Sequence, residues 1–467
     1  MSTQLLTPNF CSSVVLDLIY SLSLETQQPI EIDEDIYRHM YCFLSGIEPW
    51  DAINDNPPAI VYSDYFLKDV YKNIFIMKKI NPIDICAVVE RIDWAINVTY
   101  QRYNDTKNMF ELNSSGKLIN KFYVKNSYDQ VFKCVWNGET TTNLSGVKST
   151  IEPKILSGSS IYDLVRLSDG YVWLYLYTIN PNQKYSFLSS DYLPIPKPNF
   201  KSDISSTIIS AGAIESININ NAGGSGYAND AVGNITTKIT IYGDGIGATA
   251  SCIVAGNIIT KINITNAGYG YTYASCAISN RAPYSGSGAT ATVSISPING
   301  SKSDLISELG CRTALITCTF TESESGIIPT DIDFRQAGIL YNPNLVSGGY
   351  ANGALYNTSI TVYMAAGYEY IKDEIVTQLD SNQNVIFSAT VLSYDASRNI
   401  LYIINTVGTL NEQLLLGGNI SGAKRIVLYF IESDILRYSG KIIYIENRKS
   451  VQRSDTGIEQ FRLTIGF

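Results

Sequence analysis

The sequence is poor in the groups that acid–base and metal chemistry require. It has one histidine, His39, in Tyr37-Arg-His-Met-Tyr41. A single imidazole excludes zinc sites built on two or more histidines, and H-E-x-x-H proteases with them. Any Ser-His-Asp or Cys-His triad would have to use His39. At the edge of an apolar stretch, a packed or surface histidine is the expected reading. Carboxylates occur side by side, as in Asp331 with Asp333 and Asp33 with Glu34 and Asp35. Glycosidases need two carboxylates held apart across a cleft, so capping or solvated roles are expected for these neighbours. No G-x-x-x-x-G-K-[ST] occurs, and Gly243-Asp-Gly-Ile-Gly247 is spaced too closely for a dinucleotide fingerprint. Gly223-Gly-Ser-Gly-Tyr-Ala-Asn229 has the glycine richness of a calcium nonapeptide, but Ala228 stands where the liganding Asp is needed. Asn-x-Ser/Thr triplets at Asn97 and Asn143 are expected by chance in an Asn-rich chain. The expectation is a protein with no catalytic residue, no metal and no cofactor.

Composition points the same way. The chain of 467 residues is 45% hydrophobic and only 16% charged, enough for two or three domains with their own cores. Low charge suits either a β-rich fold or a protein that hides much of its surface in interfaces. The net charge of −9 repels phosphate backbones, and no dense Lys/Arg cluster reverses this, so nucleic acid is not an expected partner. The eight cysteines include no C-x-x-C, and several lie in apolar runs such as Tyr41-Cys42-Phe43. They read as buried free thiols made in a reducing cytoplasm. The first residues lack a signal-peptide pattern, and no window approaches the ~20 apolar residues of a membrane helix, so a soluble chain without membrane insertion is expected. The 33 tyrosines suit both strands and interfaces.

The elements that would position these groups are mostly strands. Val15, Leu18, Ile19 and Leu22 predict a helix over Ser13 to Leu24, capped by Ser12 or Ser13. Phe66, Val70, Ile74 and Met77 predict a second from Asp64 to Lys79, capped by Ser63 and ended before Asn81-Pro82. Ile85 to Ile92 reads as a strand. Lys121 to Trp136 reads as two strands split at Asn126 to Gln130, a hairpin. Tyr171 to Ile179 carries Tyr171, Trp173, Tyr175 and Tyr177 on one face and Val172, Leu174 and Leu176 on the other, so it is expected to be covered on both sides. Leu193-Pro-Ile-Pro-Lys-Pro198 reads as an extended linker. Ser303 to Gly310 predicts a short helix with Ser303 or Asp304 as cap and Gly310 as stop. Strand patterns then dominate, including Ile426 to Phe430 and Lys441 to Glu446.

Between about 204 and 298 the composition shifts to Gly, Ala, Ser, Thr, Asn and Ile. Asn221-Ala-Gly223 recurs as Asn266-Ala-Gly268, each followed by Gly-Tyr (Gly226-Tyr227, Gly270-Tyr271), and Gly245-Ile-Gly-Ala-Thr-Ala250 recurs as Gly286-Ser-Gly-Ala-Thr-Ala291. Two copies are few for a solenoid. A small β-domain made by tandem duplication is expected, with glycines at tight turns. The chain is therefore divided as 1–203, an N-terminal α+β part; 204–300, the inserted repeat domain; and 301–467, a mostly β C-terminal part. The fold class is mainly β with some α (α+β), multi-domain.

An ordered set of stretches then runs along the chain. Trp50 follows Tyr41-Cys-Phe-Leu-Ser-Gly-Ile-Glu-Pro49 and precedes Asp51 and Asn56-Pro57-Pro58. Next come Arg91-Ile-Asp-Trp94, Tyr100-Gln-Arg-Tyr-Asn-Asp105, Phe122-Tyr-Val124, Val131-Phe-Lys-Cys134 and Asp169-Gly-Tyr-Val-Trp173, running on to Ile179. The last third holds Asp304 to Gly310, Pro329-Thr-Asp-Ile-Asp-Phe-Arg-Gln-Ala-Gly338 and Glu446-Asn-Arg448. In this order they resemble the dimeric baseplate wedge subunit of T-even-like contractile-tailed phages, and its cyanophage members most of all. Thr330 to Gly338 is the sharpest part, and the Gly-rich repeats resemble an insertion in the cyanophage members.

The resemblance implies a homodimer in each wedge of the tail baseplate, a virion protein assembled in the bacterial host cytoplasm. It implies partners among the other wedge proteins, including the iris-forming subunit and the tail-pin protein, with no cofactor and no catalysis. It also implies that the N- and C-terminal parts share a core around the inserted domain. Trp50, Trp94, Trp173, Asp333, Phe334 and Arg335 are the structural residues it singles out, and Arg335 is expected in an ion pair or on backbone carbonyls. The chief rival is a receptor- or glycan-binding tail appendage, since Gly- and Asn-rich β-repeats with many tyrosines can stack sugars. A cell-wall hydrolase is the enzymatic rival, opposed by the single histidine and the lack of a placed carboxylate pair.

Overall fold

The computed structural model describes residues 7–23, 39–46, 48–51, 55–155, 164–196, 209–228, 237–280, 285–321, 332–453 and 457–467. Asp33, Glu34, Asp35, Asn229, Asp331, Lys197, Pro198 and the 203/204 boundary lie outside them. The fold is mainly β with few helices, and multi-domain. Two compact units are formed by non-contiguous chain: residues 1–17, 86–315 and 464–467 make the first, and 18–85 and 316–463 the second. No described helix is long and apolar enough to cross a membrane.

The first unit contains an antiparallel sheet ordered Tyr123–Lys125, Gln130–Asn137, Tyr171–Thr178, Leu164–Arg166. The expected hairpin is present. The Asn126 side-chain oxygen accepts from the N–H groups of Tyr128 and Gln130, and Asp129 takes a positive φ of 59°, which is the turn chemistry of Asn and Asp. Both faces of Tyr171–Thr178 are covered, with Tyr171, Trp173, Leu174, Leu176 and Tyr177 almost wholly buried. The Ile85–Glu90 strand pairs with Tyr192–Pro194. The segment from Leu193 is therefore an edge strand and not a linker. Its prolines need no ladder donor at an edge, the Ile195 N–H donates to the Ala87 carbonyl, and Leu193 and Ile195 are buried.

The repeats also lie in the first unit. Copy one supplies the strands Ile214–Ile219, Thr237–Gly243 and Thr249–Ala255, and copy two supplies Ile258–Asn266, Ala274–Asn280 and Ala291–Ile295. Among the described residues, every strand pairing of these six joins one copy to the other: 214–219 with 291–295, 237–243 with 274–280, and 249–255 with 258–266. The turns match as well. Asn221 and Asn266 accept from the N–H of Gly223 and Gly268, both at 3.0 Å. The hydroxyls of Tyr227 and Tyr271 accept from the N–H of Ala289 and Ala248, both at 3.3 Å. Each tyrosine ring thus sits in the other copy's Gly-x-Gly-Ala turn, and among the described residues neither copy has a strand partner of its own.

The second unit holds a five-stranded antiparallel sheet ordered Leu355–Asn357, Ile76–Lys79, Met40–Ser45, Ile332–Tyr341, Lys441–Arg453. N- and C-terminal segments share this core. The helix Asp64–Asn73, capped by Ser63, lays Phe66 and Val70 on it beside Tyr41, Phe43, Leu340 and Ile442. The helix was expected to reach Lys79 but stops at Asn73. Ile76–Lys79 instead takes a ladder between two strands, where Ile76 and Met77 are buried. Ile74 and Met77 still join the same cluster, and the β-branched Ile74 and Ile76 favour the extended backbone that replaces the last helical turns. The first helix runs Pro8–Ser23, earlier than expected. Thr7 is its cap and Pro8 its first residue, while the Ser12 hydroxyl donates to the Cys311 carbonyl. The short helix Leu305–Glu308 is capped by Asp304 and stopped at Gly310, φ 62°. Residues 360–431 close a six-stranded barrel around Val362, Val376, Phe387, Val391, Leu401, Leu416 and Val427. All eight cysteines are free thiols, seven of them buried.

Candidate functional site

Four of the ordered stretches meet in the second unit. The ladder between Ile332–Tyr341 and Lys441–Arg453 breaks at Arg335: Phe334 pairs with Val451 and Gln336 with Asn447, so residues 448–450 bulge. A bulge takes backbone groups out of the ladder, and they need other partners. The Trp50 indole N–H donates to the Arg448 carbonyl at 2.8 Å, and Asp55 accepts from the Ser450 N–H at 3.0 Å. Asp55 also accepts from the Trp50 N–H at 3.0 Å and from Arg335 Nε at 2.7 and 2.9 Å. The Asn447 amide donates to the Pro58 carbonyl. The Arg335 guanidinium, with the N–H groups of Trp50 and Ser450, holds the Asp55 carboxyl below the usual carboxylate range. Alternation sends Phe334 into the core, while Asp333 faces Lys372 at 3.0 Å. Trp50, Asp333, Phe334 and Arg335 are thus gathered as packing and bracing groups.

Trp94 and Trp173 belong to the first unit, in a second aromatic cluster. Trp173 is fully buried, stacked on Tyr171 at 5.3 Å and edge-on to Tyr100 at 5.5 Å. The Tyr100 hydroxyl accepts from the Ala95 N–H, next to Trp94, whose indole donates to Ser149 Oγ. His39 is buried in the second unit, its ring 5.8 Å from Tyr350 and its backbone N–H donating to the Asn342 side-chain oxygen.

The strongest electrostatic feature is elsewhere in the first unit. Lys133 Nζ lies 2.7 Å from Glu215 Oε1 and 2.5 Å from Glu308 Oε1, with all three side chains at most 1% exposed. Ser301 Oγ touches Lys133 Nζ at 3.0 Å and donates to Glu215 Oε1 at 2.5 Å. Glu308 Oε2 accepts from the Lys302 N–H at 2.8 Å, and Glu215 Oε2 has no hydrogen-bond partner among the described residues. Burial by itself would lower the Lys133 pKa, but the two carboxylates outweigh it and raise the pKa. The Tyr103 ring covers the ammonium at 4.8 Å, and burial pushes its own phenol up to about 12. In front of Glu308 opens a cleft of about 530 Å³, also lined by Asn9, Tyr103, Asp105, Phe110 and Asn299. No group of three His, Cys, Asp or Glu side chains able to hold a metal occurs among the described residues.

Val131-Phe-Lys-Cys134 and Asp304 to Gly310 were legible as stretches, but not as the two sides of one ionic cluster. Glu215 was not singled out at all. The available signal was a lysine inside an otherwise apolar strand, which at a buried position demands a charged partner. No protein-family model and no curated protein matches this chain.

Proposed function

We propose that the chain is a non-enzymatic structural subunit of a contractile phage tail baseplate wedge, acting as a homodimer that holds neighbouring wedge proteins and lets them rearrange on contraction. The observation that carries this reading is the convergence of Trp50, Asp55, Pro58, Arg335 and residues 447–450, all in or beside the resembling stretches, on one braced bulge. These contacts shape a framework. The barrel surface supports a role in assembly. Leu415, Ile426, Leu428, Tyr429 and Ile431 on its neighbouring strands are 40–54% exposed, and clustered exposed apolar residues suit protein contacts. The iris-forming subunit and the tail-pin protein are the proposed neighbours, and the virion baseplate is the proposed location.

The solution mass of the purified chain, alone and mixed with the other tail proteins of its phage, tests this. A dimer of about twice 51.5 kDa that enters a larger wedge complex is expected. A trimer that ignores those proteins refutes it. The unit-one cleft favours a second reading, glycan binding, because the half-buried rings of Tyr103 and Phe110 stand among the polar side chains of Asn9, Asp105 and Asn299. Glycan screening is its direct test.

A further inference from the structure

We propose that Lys133 and Glu215 condense into an intramolecular amide cross-link, with Glu308 as the proton carrier. The three side chains are dry, touching and unequal in number of charges: one ammonium faces two carboxylates, all at most 1% exposed. An excess buried charge is costly, and an ion pair in such a place is weak evidence of a purely stabilising role. The two carboxylates also differ. Both oxygens of Glu308 are held, by Lys133 Nζ and the Lys302 N–H. Among the described residues Glu215 keeps only Oε1 engaged, with Lys133 Nζ and Ser301 Oγ, while Oε2 is buried with no hydrogen-bond partner. A group with one anchored oxygen and one idle oxygen is suited to lose the idle one.

The step balances without any oxidant or activating co-reactant. The Lys133 ammonium gives one proton to Glu308 Oε1, the 2.5 Å contact, which frees the nitrogen lone pair. The amine attacks the Glu215 carboxyl carbon and forms the C–N bond. Glu308 passes the two protons lost by nitrogen, in turn, to Glu215 Oε2, and the C–Oε2 bond breaks to release water. Glu215 Oε1 remains as the amide carbonyl, still accepting from Ser301, and the one remaining N–H donates to Glu308. Glu308 ends as it began, a carboxylate. Exclusion of bulk water favours condensation over hydrolysis. The contacts hold the nitrogen 2.7 Å from Glu215 Oε1, beside the carboxyl carbon it attacks. Glu308 also lines the open cleft, which gives the released water a way out. The product ties Gln130–Asn137 to Ile214–Ile219, so the repeat module is bonded covalently to the neighbouring sheet within the first unit.

The test is the mass of the full-length chain, measured intact after denaturation and reduction, followed by a peptide map. The expected result is a mass lower than the sequence mass by one water, with a branched peptide joining Lys133 to Glu215. Full sequence mass, or a water loss mapped to another pair, overturns the proposal. Glu308→Gln is expected to restore full mass and linear peptides. A folded Glu308→Gln that is still cross-linked overturns the role given to Glu308. Lys133→Arg, which keeps the charge, should show full mass as well. The wild-type mass decides the cross-link even if a variant fails to fold.

Discussion

Arg335→Ala tests whether the bulge at 448–450 is held by ionic bracing. The substitution removes the Nε contacts to both Asp55 oxygens. Losing one partner of a fully buried pair costs about 3–5 kcal/mol, whereas losing a hydrogen bond to a charged group costs about 1.5–3 kcal/mol. The Asp55 side chain is 24% exposed and keeps the N–H groups of Trp50 and Ser450. It can rehydrate, so the lower range is expected. Guanidinium unfolding at neutral pH reads this as a reduced midpoint with little change in slope. The sign of the pH dependence follows from the depressed Asp55 pKa. A carboxyl held below its unfolded value contributes stability fully above about pH 4 and loses it as pH falls through the folded pKa. The difference between wild type and Arg335→Ala should therefore shrink in acid. A double-mutant cycle with Asp55→Ala should return a coupling of about 1 kcal/mol or more. A variant that melts like wild type at neutral pH refutes the assignment. So does a loss that stays constant into acid with no coupling to Asp55.

Two further perturbations follow from close contacts. A Cβ on Gly245 would lie 2.4 Å from Tyr271 ring carbons, and one on Gly286 would lie 2.5 Å from a Tyr227 ring carbon. Gly245→Ala and Gly286→Ala should each cost about 1–3 kcal/mol by overpacking, and by similar amounts because the copies exchange equivalent turns; thermal melts showing one variant harmless would break that equivalence. In the barrel, Glu374 is buried and accepts from the N–H groups of Ile371, Ile420 and Ser421 and from the Ser421 hydroxyl. Burial pushes its carboxyl up, but these bonds outweigh it and the net shift is downward. Glu374→Gln, which turns an amide donor toward donors, should cost about 1–3 kcal/mol at neutral pH and progressively less as acid takes the wild-type carboxylate through its folded pKa; an unchanged denaturation midpoint at neutral pH would exclude this capping role.

Local chemistry was legible wherever a few adjacent residues decide the outcome. The Asn126 to Gln130 hairpin, the Ser63 cap, a cap at Ser303 or Asp304, the Gly310 stop and the two-faced strand at Tyr171 all follow from side chains acting on nearby backbone or from simple alternation. The duplication was legible too, because identical turn motifs recur. The path of Ile74 to Lys79 was not, because its apolar residues fit either period and the ladder with Met40–Ser45 decided between them. The Leu193 strand was hidden by its prolines, which an edge tolerates.

For the candidate sites the division is sharper. The sequence by itself determined that histidine and metal chemistry have almost nothing to work with, that strands dominate, and which stretches are distinctive. Tertiary structure alone decided that Trp50, Asp55 and Arg335 brace one bulge, that each repeat completes the other, and that Lys133 meets Glu308, 175 residues away. Propensity and capping act over a few residues, whereas these meetings are set by loop closure and core packing over long separations, which no local pattern encodes.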